Sequence, residues 1–169
     1  CLVGSEMCIR DSCGSDTEVA GYMQQLREQG RYTVSDALLA KIRETFVGGC
    51  CNDIQTREKI GRAWRDHRYL IDTHTAVAYH VLDEYRRETG DAAPAVVVST
   101  ASPFKFCDQV LRGIGGTADA FGPELIRRLT CETQIDAPAP LTGLDARPVR
   151  FGGCVDRTQM LHTVDEFLK

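Results

Sequence analysis

The chain has 169 residues, 43% of them hydrophobic and 26% charged, the ordinary composition of one globular domain rather than of a disordered, collagenous or membrane protein. With 20 Lys and Arg against 24 Asp and Glu, a net charge of -4, it has no general attraction to phosphate backbones or anionic lipid, so nucleic acid and membrane are not expected partners. No apolar run approaches the roughly 18 residues that span a bilayer. The longest, Ala92 to Val98, has the length of a buried strand.

Residues 1–12, CLVGSEMCIRDS, lack the basic and apolar regions and the cleavage pattern of a signal peptide. They resemble the translated read-through of a sequencing adapter and read as a non-native leader, which leaves residues 13–169 as the domain. From Asp16 the pattern turns helical: Val19, Tyr22, Met23 and Leu26 recur at three- and four-residue spacing, and Gly30 stands where a left-handed stop is wanted. Ser35 offers a cap to a second helix carrying Leu38, Leu39, Ile42 and Phe46, closed by Gly48-Gly49. A third is expected over Thr56 to His67, with Ile60, Ala63 and Trp64 facing inward. Asp72 can cap a fourth, running to Gly90.

Beyond Pro94, residues 95–100 (AVVVST) are β-branched and apolar on both faces, as a buried parallel strand would be. Ser102 and Pro103 then supply cap and first position of a helix through Val110, Leu111 and Ile114 to Gly115-Gly116. A helix follows near Pro123 to Glu132, then a proline-rich turn at 138–140 and a terminal helix over Asp156 to Leu168. The expected fold class is α/β, mostly helical, with one clear buried strand at about 95–100. One strand is no sheet, so partner strands are expected upstream.

The eight cysteines show no two-residue gap of the kind that grips a tetrahedral zinc. Reduced thiols in a cytoplasmic protein are the expectation, and no metal is implied. Chemistry is sought where the strand ends, because ligands of open α/β sheets bind beyond the carboxyl ends of strands. That point is Ser99-Thr100-Ala101-Ser102. Its hydroxyls fit a ligand's ring nitrogen, phosphate or carboxylate, and they fit equally a helix cap at Ser102 with Thr100 serving its own backbone.

Three separated blocks carry a resemblance: YLIDTHTAVAY at 69–79, VSTASPFKF at 98–106 and GLDARPVR at 143–150. In order and spacing they are similar to the carboxyl-terminal part of the threonine synthase family, and the similarity runs from about Thr17 to the end. The resemblance implies a pyridoxal 5'-phosphate enzyme of the tryptophan-synthase-β-like fold (fold type II), with O-phospho-L-homoserine and water as substrates and L-threonine and phosphate as products. It implies that a hydroxyl residue of this strand end meets the pyridine nitrogen. Thr100 matches that position, and Ser99 is its near neighbour. A hydroxyl can hydrogen-bond a neutral pyridine without forcing the proton that a carboxylate partner supplies. Asp72, His74 and Thr75 match the family's Asp-Pro-His-Thr-Ala-Val block, with Thr73 in place of proline, so His74 and Ser102 are expected beside the site. Cys107 stands where the family often has proline.

The four lysines are Lys41, Lys59, Lys105 and Lys169, and none sits in the His-x-Pro-Thr-x-x-Phe-Lys-Asp setting of the family's Schiff-base lysine. Lys105 follows the Ser-Pro-Phe turn but reads as a solvated helix charge. The glycine pairs 48–49, 115–116 and 152–153 read as turns and helix stops, not as a phosphate loop. The piece is therefore expected to be inactive alone. A non-catalytic helical interaction or regulatory module is the alternative, and it would leave the edges of the Val-rich strand unpaired. A cysteine-based metal or redox protein would need paired thiols.

Overall fold

The computed structural model describes residues 6–148 and 152–168. Among them the chain forms helices α1 (Glu6–Cys13), α2 (Asp16–Gln29), α3 (Asp36–Thr45), α4 (Asp53–His67), α5 (Thr73–Thr89), α6 (Cys107–Ile114), α7 (Pro123–Thr133) and α8 (Met160–Phe167). Helices α2 to α5 begin where a short polar side chain can take a free N–H. Ser15 accepts from Glu18 N and Ser35 from Leu38 N, and Asn52 and Gln55 cap each other's backbones. Gly30 and Gly90 end α2 and α5 in the left-handed region at φ 71° and 72°, returning their N–H to Leu26 and Arg86.

The buried side chains form two clusters. The larger joins Ile60 and Ala63 of α4, Ala76 of α5, Val110 and Leu111 of α6, and Leu129 of α7. Ile60, Val110, Leu111 and Leu129 are wholly buried, each contributing about 1.5–3 kcal/mol from apolar surface removed from water. Small residues let α4 and α6 cross closely: a Cβ on Gly61 would lie 2.4 Å from the Gly113 carbonyl oxygen. The smaller cluster gathers Ile9, Val19, Tyr22, Leu38 and Ile42 from α1, α2 and α3, with the Tyr22 and Tyr32 rings 5.6 Å apart. Ile9 belongs to the twelve residues read as a leader, of which 1–5 lie outside the described residues. Met160, Leu161, Val164 and Phe167 of α8 are all exposed.

The expected α/β class with a buried strand at 95–100 is overturned. No strand occurs among the described residues, and 95–100 is an irregular link whose Val96 is 90% and Val98 68% exposed. β-propensity measures fit to a pleated, half-buried surface, and the described residues offer the segment no second strand to complete a ladder. Three helix boundaries also move. α4 starts at Asp53, because the Asn52 cap lies upstream of the first apolar repeat. α3 ends at Thr45, where Phe46 turns extended before the glycine pair is reached. The segment after Ser102 opens as a 3₁₀ turn over Pro103–Phe106, with Lys105 N bonding Ser102 O at 3.0 Å, and tightens into α6 only at Cys107.

Candidate functional site

Asp72, His74, Thr75 and Ser99 come together at the amino end of α5. Asp72 caps that helix and is wholly buried. Its Oδ2 accepts the His74 backbone N–H at 2.9 Å and lies 3.1 Å from His74 Nδ1. Its Oδ1 accepts the Thr75 backbone N–H at 3.2 Å and the Thr75 hydroxyl. Burial pushes this carboxyl up, but the hydrogen bonds from Thr75 and His74 outweigh it and hold it below the ordinary aspartate value. Asp72 is therefore an acceptor only. Thr75 Oγ1 is also 3.0 Å from Ser99 Oγ, which ties the end of the exposed link to the start of α5 across 24 residues of sequence.

Ser99 and Thr100 are both exposed. The Thr100 hydroxyl makes no hydrogen bond to another described residue, so it stays open to a ligand. Ser102 Oγ accepts from Phe104 N at 3.3 Å, the capping role that the residues alone allowed. His74 is exposed, with its ring centroid 5.1 Å from that of Phe106 and tilted by 52°. It lines a cavity of about 400 Å³ together with Thr73, Phe106, Gln109, Thr56 and Cys51. Gln109 in turn takes a hydrogen bond from Arg57 at 3.1 Å.

A larger cleft of about 770 Å³ lies between α7 and residues 134–145. Its cation, Arg127, is already held by Glu124 and Asp145, and none of the expected site residues lines it. Of the expected site residues, His74 lines the smaller cavity, with the buried Asp72 against its ring, and Ser99 joins the same helix start through Thr75. Sequence reasoning proposed Ser99, Thr100, His74 and Ser102 and gave Thr75 no part, although Thr75 joins Asp72 to Ser99. The signal was local: a capping Asp with a Thr three residues on.

The lysines have other partners or none. Lys59 is buried, ion-paired to Asp83, with Nζ 4.4 Å from the Tyr79 ring centroid. Lys105 is exposed, its Nζ 5.4 Å from the Phe106 centroid, and Lys41 is exposed. Lys169 lies outside the described residues. Cys107 is buried, its thiol pushed up to about 11 by desolvation, so it stays protonated at neutral pH and offers no nucleophile. No helix among the described residues is long and apolar enough to cross a membrane.

Comparison with known proteins matches residues 75–166 to the family described as threonine synthase, C-terminal. The threonine synthase of Pseudomonas aeruginosa is 31% identical over 107 residues, covering 63% of this chain and 22% of that protein. The crystal structure of PLP-bound threonine synthase from Brucella melitensis superposes with a TM-score of 0.66 at 28% identity, over 96% of this chain and 30% of that one. Yeast threonine synthase shares the fold, with a TM-score of 0.70 at 19% identity over 96% of this chain and 33% of its own. The chain thus spans about a fifth to a third of the length of these relatives. With over half of its residues inside the matched region, the chain belongs to the threonine synthase family and carries that family's carboxyl-terminal region.

Proposed function

We propose that this chain is the carboxyl-terminal piece of a cytoplasmic threonine synthase, the enzyme that converts O-phospho-L-homoserine and water to L-threonine and phosphate, and that it supplies the pyridine-nitrogen side of the pyridoxal phosphate site. The observation that carries the reading is the tie between Ser99 and the Asp72-capped start of α5. It holds Ser99 at the helix start that carries His74, with the exposed Thr100 hydroxyl next in sequence. That donor set fits a pyridine nitrogen, since a hydroxyl can donate to the ring or accept from it without being ionised.

When bound, the cofactor supplies an electron sink for carbanionic chemistry. The chain's own residues bind and orient. Thr100, whose hydroxyl is uncommitted among the described residues, would hold the ring nitrogen. Ser99, anchored through Thr75, keeps the link in place. Phe106 and His74 form an apolar and a polar wall of the adjoining cavity. Among the described lysines, Lys59 is committed to Asp83, and Lys41 and Lys105 are exposed. The lysine and the phosphate loop come from other residues of the complete enzyme, and this piece is inactive alone.

The test mixes the purified chain with pyridoxal phosphate, removes the excess and records the absorbance before and after borohydride. The expected result is no retained band and no lysine modified by reduction. A stoichiometric adduct at Lys105 would overturn the reading. In the complete enzyme, Thr100→Val should lower turnover with the fold intact, because it keeps the side chain's shape and deletes one hydrogen bond. Unchanged turnover would remove Thr100 from the site.

A further inference from the structure

We propose that Asp72 is a positioning residue that holds His74 as the Nδ1–H tautomer. The inference deepens the cofactor-site reading, and its geometry stands without the cofactor. One carboxylate oxygen faces His74 Nδ1 at 3.1 Å. A carboxylate can only accept, so Nδ1 carries the hydrogen and Nε2 keeps its lone pair. Thr73 Oγ1, 3.4 Å from Nδ1, is the longer contact at the same nitrogen.

The second oxygen takes the Thr75 hydroxyl and the Thr75 backbone N–H, which fixes the carboxylate plane against the helix start. On the other arm, Nε2 of His74 has no partner among the described residues and is an acceptor, so a ligand group that meets it must bring its own hydrogen. The buried Asp72 thereby leaves the His74 ring as a hydrogen-bond acceptor toward a ligand.

Nitrogen-15 NMR of the histidine rings in the 169-residue chain, above the pH of imidazole protonation and without cofactor, tests this. His74→Gln assigns the resonance against His67, His80 and His162. Imidazole in water favours the Nε2–H form, so the expected wild-type spectrum shows His74 reversed, with a protonated Nδ1. Asp72→Ser keeps a good capping oxygen but cannot span both arms, and should return His74 to the Nε2–H form with the amide spectrum otherwise preserved. A wild-type His74 in the Nε2–H form, or a reversed tautomer that survives Asp72→Ser in a folded chain, would overturn the proposal. The wild-type spectrum decides even if the variant does not fold. Since no cofactor is present, failure of the Thr100 assignment in turnover is read separately.

Discussion

Asp72 is buried as a carboxylate because His74 and Thr75 each bring it a backbone N–H and a side-chain hydrogen. Those donors offset a desolvation cost that would otherwise drive the group neutral. The folded chain therefore holds this carboxyl below its unfolded value. A depressed folded pKa contributes stability that is complete above the unfolded pKa and is lost as pH falls through the folded one, because the unfolded chain then binds the extra proton. Asp72→Asn removes the titration and keeps a capping side chain. Urea unfolding between pH 7 and pH 2 should show the wild type losing stability more steeply than Asp72→Asn below the ordinary carboxylate range. The difference isolates Asp72 from Glu18, Glu84 and the other carboxylates that are also held low. Parallel curves would mean that Asp72 has no net preference for the charged form. Asp72→Ala, which loses the cap as well, should cost about 2 kcal/mol at pH 7.

The crossing of α4 and α6 depends on two absent side chains. A Cβ on Gly61 would meet the Gly113 carbonyl oxygen at 2.4 Å, and one on Gly113 would meet the Arg57 carbonyl oxygen and Ile60 at 3.0 Å. The obstacle is backbone, so relief requires the helices to part. Overpacking of this kind costs about 1–3 kcal/mol, against a helix-propensity gain of up to about 1 kcal/mol for Gly→Ala. Gly61→Ala should therefore destabilise. Gly21→Ala in α2 meets nothing within 4 Å and should stabilise by about 0.5–1 kcal/mol; equal effects of the two substitutions in urea unfolding would refute the close crossing. The same contrast explains what could be read from the sequence. Helices α2 and α5 were legible because cap, apolar period and Gly stop are all local to the element. The strand at 95–100 was misread because pairing belongs to two segments, and a β-branched run reports only one. At the candidate site, the motif blocks pointed to Ser99, Thr100 and His74. The Thr75 hydroxyl's reach to Ser99 across 24 residues has no local pattern.

At the scale of the molecule, the two clusters of buried side chains share no residue. The link between α3 and α4 lies against α5, where Gly49 leaves room for the Val81 side chain. Trp64, the single tryptophan, belongs to α4 in the larger half, with the Arg68 guanidinium 5.4 Å from its ring centroid. Its fluorescence therefore reports the larger cluster. Ile42 is wholly enclosed in the smaller one, at 1% exposure, and Ile42→Ala should remove about 2–5 kcal/mol there through lost transfer energy and a residual cavity. If each cluster is a cooperative unit of its own, that loss stays local. The expected result is an unchanged Trp64 midpoint in urea together with faster amide exchange in α2 and α3. Ile60→Ala, made in the Trp64 half, should shift the fluorescence transition directly. A Trp64 midpoint that falls for Ile42→Ala as far as for Ile60→Ala would show instead that both clusters unfold as one unit. The fluorescence result also bears on α5, because Val81 meets the link that joins the two halves. An unmoved midpoint would mean that the start of α5, with Asp72, His74 and Thr75, draws its rigidity from the larger cluster alone.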